Sequence, residues 1–278
     1  MTTDSSRYAT VSYEERGRTA CITLNRPEVL NAISDEMIAE LAQVYRHVED
    51  SPDVWTVIVT GAGRALCVGA DMNKARDHDT DSEPGLDTQG EPLLSSLRQW
   101  DAPQEATPPW LQMTKPIICA VNGIACGAGL DLVTTADIPI ASDQATFLDP
   151  HVSIGVASTR EAVRLARVVP VPVAMRMALM GKHERITAQR ALELGLVTEV
   201  VPHDQLMERA WEIADTVNRN APLAVRATRM AIRKGLTLPI YEAELLGEGY
   251  RMKTAITQDA VEGPQAFMEK REPEWKAR

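Results

Sequence analysis

Two short apolar runs, Val54–Thr60 and Ile117–Val121, each break at once into a loop built around glycine. The first loop is Gly61-Ala62-Gly63-Arg64-Ala65-Leu66-Cys67-Val68-Gly69-Ala70-Asp71. The second is Asn122-Gly123-Ile124-Ala125-Cys126-Gly127-Ala128-Gly129-Leu130-Asp131. Strand, glycine loop, helix, repeated, predicts an α/β fold, because parallel strands need crossovers and those crossovers run right-handed. Ala20–Leu24 reads as an earlier strand ending at the turn signal Asn25-Arg26-Pro27, and Ile138–Ala141 and Val197–Val201 as later ones. A helix is predicted after Ser34 as N-cap, with Asp35 and Glu36 in its first turn. Its expected apolar stripe is Met37, Ile38, Leu41, Val44, Tyr45 and Val48.

The last third reads as helical, over roughly Arg160–Val169, Val173–Met180, Thr187–Leu194, Asp204–Asn220, Pro222–Arg233 and Asp259–Lys270. Gly181 and Gly195 stand where C-terminal stops belong, and Met175, Met177 and Met180 are expected to pack. The organisation predicted is a strand-rich core over residues 1–200 and a helical region over 201–278. Between Lys74 and Trp110 the chain is dense in Asp, Glu and Pro, and reads as an acidic surface loop with one helical turn near Leu93–Trp100.

The net charge of −10 speaks against nucleic acid as the main partner, since phosphate binding needs a basic face. No apolar run approaches the ~20 residues of a membrane helix, so no membrane partner is expected. The polar start, Met1 to Tyr8, lacks the apolar stretch of a secretory leader. Cys21, Cys67, Cys119 and Cys126 show no CxxC spacing and lie among apolar residues, as reduced core thiols do. A cytoplasmic address is expected. With no ligand-spaced His/Cys cluster, neither a metal nor a redox cofactor is expected.

Small residues in the two glycine loops let a ligand approach the backbone, and a helix starting just after points free N–H groups at it. Two such donors converging from separate strands make an oxyanion hole. The same pattern also serves tight strand–helix packing or a nucleotide loop. Against the last, Leu66 takes the place of the third glycine of G-x-G-x-x-G, and no G-x-x-x-x-G-K is present.

The chain resembles the crotonase (enoyl-CoA hydratase/isomerase) superfamily from about Tyr8 to its C-terminus. The matching blocks come in the family's order: Asn25-Arg26-Pro27 with Leu30-Asn31-Ala32, Gly69-Ala70-Asp71, and Lys115-Pro116 leading to Val121-Asn122-Gly123. Then follow Ala136-Asp137-Ile138, Leu165-Ala166-Arg167, Gly195-Leu196-Val197, Val200-Val201-Pro202 and Glu262-Gly263 with Ala266-Phe267 and Glu269-Lys270-Arg271. The resemblance implies a β-β-α spiral core and a helical C-terminal trimerisation region that packs in trimers or hexamers. It implies an acyl-CoA substrate, coenzyme A entering only as part of the thioester. Ala70 and Ala128 match the two backbone donors of the oxyanion hole. Ala128 replaces a usual glycine, which a backbone donor tolerates if φ stays negative. Arg26, Val29, Leu30, Gly69, Asp71, Met72 and Gly127 are then expected beside the substrate. Phe267 and Lys270 match positions that often reach a neighbour's CoA site, and the acidic loop is expected to border the acyl pocket as a mobile lid or wall.

The departures fall on the acid/base groups. Hydratases of this family use two glutamates; here the first position is Asp131, one methylene shorter, and the second is His151, within Leu148-Asp149-Pro150-His151. Histidine changes charge close to working pH and can move protons, or it can merely line the pocket. Asp131 can equally be a helix N-terminal carboxylate favoured by the dipole. The family's glycine-rich turn is replaced by Gly155-Val156-Ala157-Ser158-Thr159-Arg160-Glu161. Glu161 is a candidate for the missing carboxylate, although an exposed surface glutamate is the expectation. His183 and His203 are assigned no role. The resulting expectation is a lyase adding water to a 2-enoyl-CoA. The alternatives are another crotonase reaction (isomerase, hydrolase or decarboxylase) or a non-catalytic CoA-binding protein.

Overall fold

The structure is a computed structural model that describes residues 2–3, 8–72, 110 and 113–278. Expectations for the acidic segment between Lys74 and Trp110, Trp110 apart, lie outside the described residues. The strands are β1 (Thr2–Thr3), β2 (Val11–Arg16), β3 (Thr19–Leu24), β4 (Thr56–Gly61), β5 (Ala65–Cys67), β6 (Ile117–Val121), β7 (Ile124–Cys126), β8 (Ile138–Ser142), β9 (Thr146–Leu148), β10 (Ile186–Thr187) and β11 (Glu199–Val201). One sheet runs β1-β2-β3-β4-β6-β8-β11 and the other β10-β9-β7-β5. From β3 onward the first sheet is parallel, as are β5, β7 and β9 in the second. Successive strands therefore alternate between sheets: β4 then β5, β6 then β7, β8 then β9. This is the β-β-α spiral expected.

The apolar runs are continuous because the parallel strands are covered on both faces. Ile58, Ile118 and Ile140 pack under Leu206, Ala210 and Ala214. Val57, Val59, Cys119 and Val121 face the other way, into the main core with Leu41, Val44 and Leu130. Helix α1 (Asp35–Asp50) starts as predicted, with Ser34 accepting the Met37 N–H at 3.2 Å. Its stripe buries except for Ile38, which is 46% exposed, one position outside the sector facing the sheet. Then come α2 (Ala128–Thr135), α3 (Arg160–Val168), α4 (Val171–Met180), α5 (Ala188–Glu193), α6 (Leu206–Asn218), α7 (Pro222–Gly235), α8 (Ile240–Ala255) and α9 (Gln258–Glu269).

Three expectations need correction. Only Met177 of the three methionines on α4 packs; Met175 and Met180 face outward. Helix α8 was not predicted, because Gly247 and Gly249 lower its propensity and it has no buried stripe. The two glycine loops are not loops throughout: each holds a three-residue strand, β5 or β7, of the smaller sheet. All four cysteines are free and buried, as the sequence suggests. No helix among the described residues is long and apolar enough to cross a membrane.

Candidate active site

The two glycine loops leave the smaller sheet at the same edge, where β5 pairs with β7. Beyond β5, Gly69 O accepts the Ile33 N–H at 2.8 Å, and the Asp71 N–H donates back to Ile33 O at 2.9 Å. Ala70 lies between those two bonds in a parallel bridge with Ile33, so its own N–H turns away from Ile33. Beyond β7, Ala128 is the first residue of α2, where an N–H has no intrahelical partner. Its φ is not positive, which meets the condition for replacing glycine there. Among the described residues neither of these N–H groups donates to a protein acceptor.

Two glycines make the approach possible. Gly127 has a φ of +53°, and a Cβ on it would lie 3.2 Å from Gly69 Cα and 3.7 Å from His151 Cε1. Gly69 has a φ of +101°, and a Cβ there would stand 3.9 Å from Ala128 N. The free N–H groups of Ala70 and Ala128 thus sit on adjoining backbone, with the His151 ring beside them. Such an arrangement can accept charge developing on one oxygen while a side chain moves a proton next to it.

The loop before α1 braces the first donor. Arg26 pairs with Asp71 Oδ2 at 2.9 Å and donates to Ala32 O at 2.7 Å. Leu30 and Asn31 both take left-handed backbone, with φ of 55° and 57°. The buried Asn31 amide donates to Ala62 O and Ala65 O and holds the first glycine loop. Strain of this kind persists only where surrounding bonds over-determine it. Val29 is half-buried near this turn, and Met72 is 53% exposed at the end of the described loop. Phe267 and Lys270 are exposed at the C-terminal end of α9.

The acid/base candidates separate sharply. Asp131 is 1% exposed on α2, and its Oδ1 accepts a hydrogen bond from Arg164 Nη1 on α3. His151 opens a short 3-10 turn after β9, and its Nδ1 lies 2.6 Å from Asp149 Oδ1. Glu161 is 8% exposed in the first turn of α3, which overturns its expected place on the open surface. The packing of α3 on α2 buries Glu161 and Leu165 and leaves Arg164 partly exposed. Glu161 forms no hydrogen bond or ion pair among the described residues. Sequence reasoning missed Asp149, Ser158 and Arg164. The Asp-Pro-His spacing was a signal for the first; nothing local marks a partner 33 residues away for Asp131.

A two-sheet β-β-α spiral with paired backbone donors where its glycine loops adjoin defines a crotonase-type enzyme. The chain belongs to the Enoyl-CoA hydratase/isomerase family, whose profile matches residues 14–278. It is 35% identical over 277 residues to Enoyl-CoA hydratase EchA19 of Mycobacterium tuberculosis, covering 95% of this chain and 96% of the relative. It is 34% identical to the (E)-benzylidenesuccinyl-CoA hydratase of Thauera aromatica, with 95% and 97% covered. The crystal structure of an enoyl-CoA hydratase/isomerase from Mycobacterium paratuberculosis superposes with a TM-score of 0.84 at 56% identity, covering 99% of this chain and all of that one.

Proposed function

We propose that this enzyme adds water to a 2-enoyl-CoA, with the thioester oxygen held by the N–H groups of Ala70 and Ala128. The observation that carries the reading is the His151 ring set against Gly127, beside two backbone donors with no protein acceptor among the described residues. Relatives named as enoyl-CoA hydratases along nearly the whole chain support it. His151 Nε2 takes a proton from water as the water oxygen bonds to Cβ. The π electrons move onto the thioester oxygen, and the enolate charge is met by the two donors. The proton then passes from Nε2 to Cα as the carbonyl re-forms, so one water is added from one face. Asp131, its charge matched by Arg164, joins α2 to α3 and takes no proton. Glu161, buried and without an ion pair among the described residues, is the second group able to hold the water. Coenzyme A enters as part of the substrate, and no metal or redox group takes part. Exhaustive chelation is therefore expected to leave activity unchanged.

The enzyme acts in the cytoplasm as a trimer or a pair of trimers. Helix α8 buries none of its residues; Ile240, Tyr241 and Leu245 lie exposed on it, and Ile256 at its C-cap is exposed too. Large apolar side chains left open on one helix and at its C-terminal end support a contact between subunits. The test of the reaction is a panel of acyl-CoAs with mass-spectrometric product analysis. A gain of one water on 2-enoyl-CoAs is expected. Release of free CoA, or an isomer of unchanged mass, would overturn the reading.

A further inference from the structure

We infer that Asp149 is the positioning residue of this site, fixing His151 with its proton on Nδ1 and Nε2 free, and that Ser158 holds Asp149 in turn. The inference rests on the hydratase reading for its kinetic consequence and on geometry alone for the ring. Asp149 is 0% exposed and follows β9 directly. Its Oδ1 faces His151 Nδ1 at 2.6 Å, and its Oδ2 accepts the Ser158 hydroxyl. A carboxylate can only accept, so Nδ1 carries the proton and donates, which leaves Nε2 as the proton acceptor of the ring.

The charge balance sharpens this assignment. A buried carboxylate is costly unless paired, and among the described residues no Lys or Arg forms an ion pair with Asp149. Among the described residues its one ion-pairing side chain is His151, and the Ser158 hydroxyl adds a hydrogen bond but no charge. Among the described residues, Asp149 is therefore matched by a positive charge at contact only while His151 holds the proton taken from water. In the hydration reaction that is the transition state and the intermediate. This is the orienting role a buried carboxylate plays toward an imidazole base. Asp149 Oδ1 also accepts the His151 backbone N–H at 3.3 Å, and a purely structural turn would need that contact alone. The two roles differ in their consequences for the ring.

Asp149→Asn keeps an oxygen for the backbone N–H, removes the charge, and offers an amide donor to Nδ1, which shifts the ring proton to Nε2. The experiment pairs ¹⁵N NMR of the His151 tautomer with kcat and KM for crotonyl-CoA. The expected results are Nδ1–H in the wild type and Nε2–H in Asp149→Asn, with kcat lower by about 10²-fold or more and KM nearly unchanged. Ser158→Ala should keep the Nδ1–H tautomer and lose about five-fold in kcat, the effect of one hydrogen bond of ordinary net strength. A wild-type Nε2–H tautomer, or Asp149→Asn with an unaltered tautomer at any rate, overturns the assignment. If Asp149→Asn does not fold, the wild-type tautomer and Ser158→Ala decide, and Ser158→Ala at full wild-type kcat counts against the relay. If the wild type hydrates no enoyl-CoA, the hydratase reading fails while the tautomer measurement still decides the role of Asp149.

Discussion

His151→Ala is expected to lower kcat by about 10²-fold or more with CoA affinity nearly intact, because a proton-moving group acts in the transition state. His151→Gln keeps a polar side chain but cannot titrate, and should be nearly as slow. Asp131→Asn should behave differently. Its partner Arg164 keeps an acceptor but loses a charge, so stability should fall by about 1–3 kcal/mol while turnover stays within about ten-fold. Rates for the three variants, with thermal denaturation of each, check this division. An Asp131→Asn enzyme as slow as His151→Ala would move the proton chemistry to Asp131. The sequence made the donor positions legible, since Gly69-Ala70-Asp71 and Gly127-Ala128-Gly129 fix backbone by local residue type. It left the carboxylates ambiguous because partner choice is tertiary. Arg164 neutralises Asp131 across 33 residues, and Glu161 is buried by a helix packing that its own segment does not encode.

Element ends carry their own chemistry. The carbonyl of Val48 in the last turn of α1 would ordinarily receive the N–H four residues on, but that residue is Pro52, which has none. Lys115 supplies the donor from outside: its Nζ donates to Val48 O, and to Ser51 O at 2.6 Å. Burial, and then the nearby Arg226 guanidinium, pull the Lys115 pKa down to about 8. An unfolded lysine titrates near ~10.4. Below about 8, both states hold the proton and the native state bears the full cost of the buried charge. From there to ~10.4 the unfolded chain binds more proton, so this group makes stability rise with pH. Lys115→Met should cost about 1–3 kcal/mol by leaving two carbonyls unpaired. It should also lack the rise, so the gap to wild type, measured by urea unfolding, widens from about pH 8 to about pH 10. A gap that stays constant would place the Lys115 titration elsewhere. Strands of five or six apolar residues and the Ser34 cap were readable in advance, because each is a local signal. Strands β5 and β7 were not, because three residues are too few to set up a period and sit inside what reads as glycine loop.

At the scale of the whole molecule, large apolar side chains of the C-terminal helices stand open to solvent. Ile240 is 76% exposed and Ile256 88%, at opposite ends of α8, and Phe267 on α9 is 84% exposed. Sedimentation velocity across micromolar concentrations is expected to give a trimer or hexamer, and Ile240→Glu with Ile256→Glu to shift it to smaller species. A monomeric wild type would sink the assembly. The most direct probe of the site itself is Ala128→Pro. Proline is tolerated at the first helical position and removes one N–H while leaving side-chain chemistry in place. In steady-state turnover of crotonyl-CoA, this variant is expected to fold with α2 intact and to lose about 10²–10³ in kcat. A folded Ala128→Pro enzyme that hydrates crotonyl-CoA within a few-fold of the wild-type rate would contradict the claim that the Ala70 and Ala128 N–H groups hold the thioester oxygen.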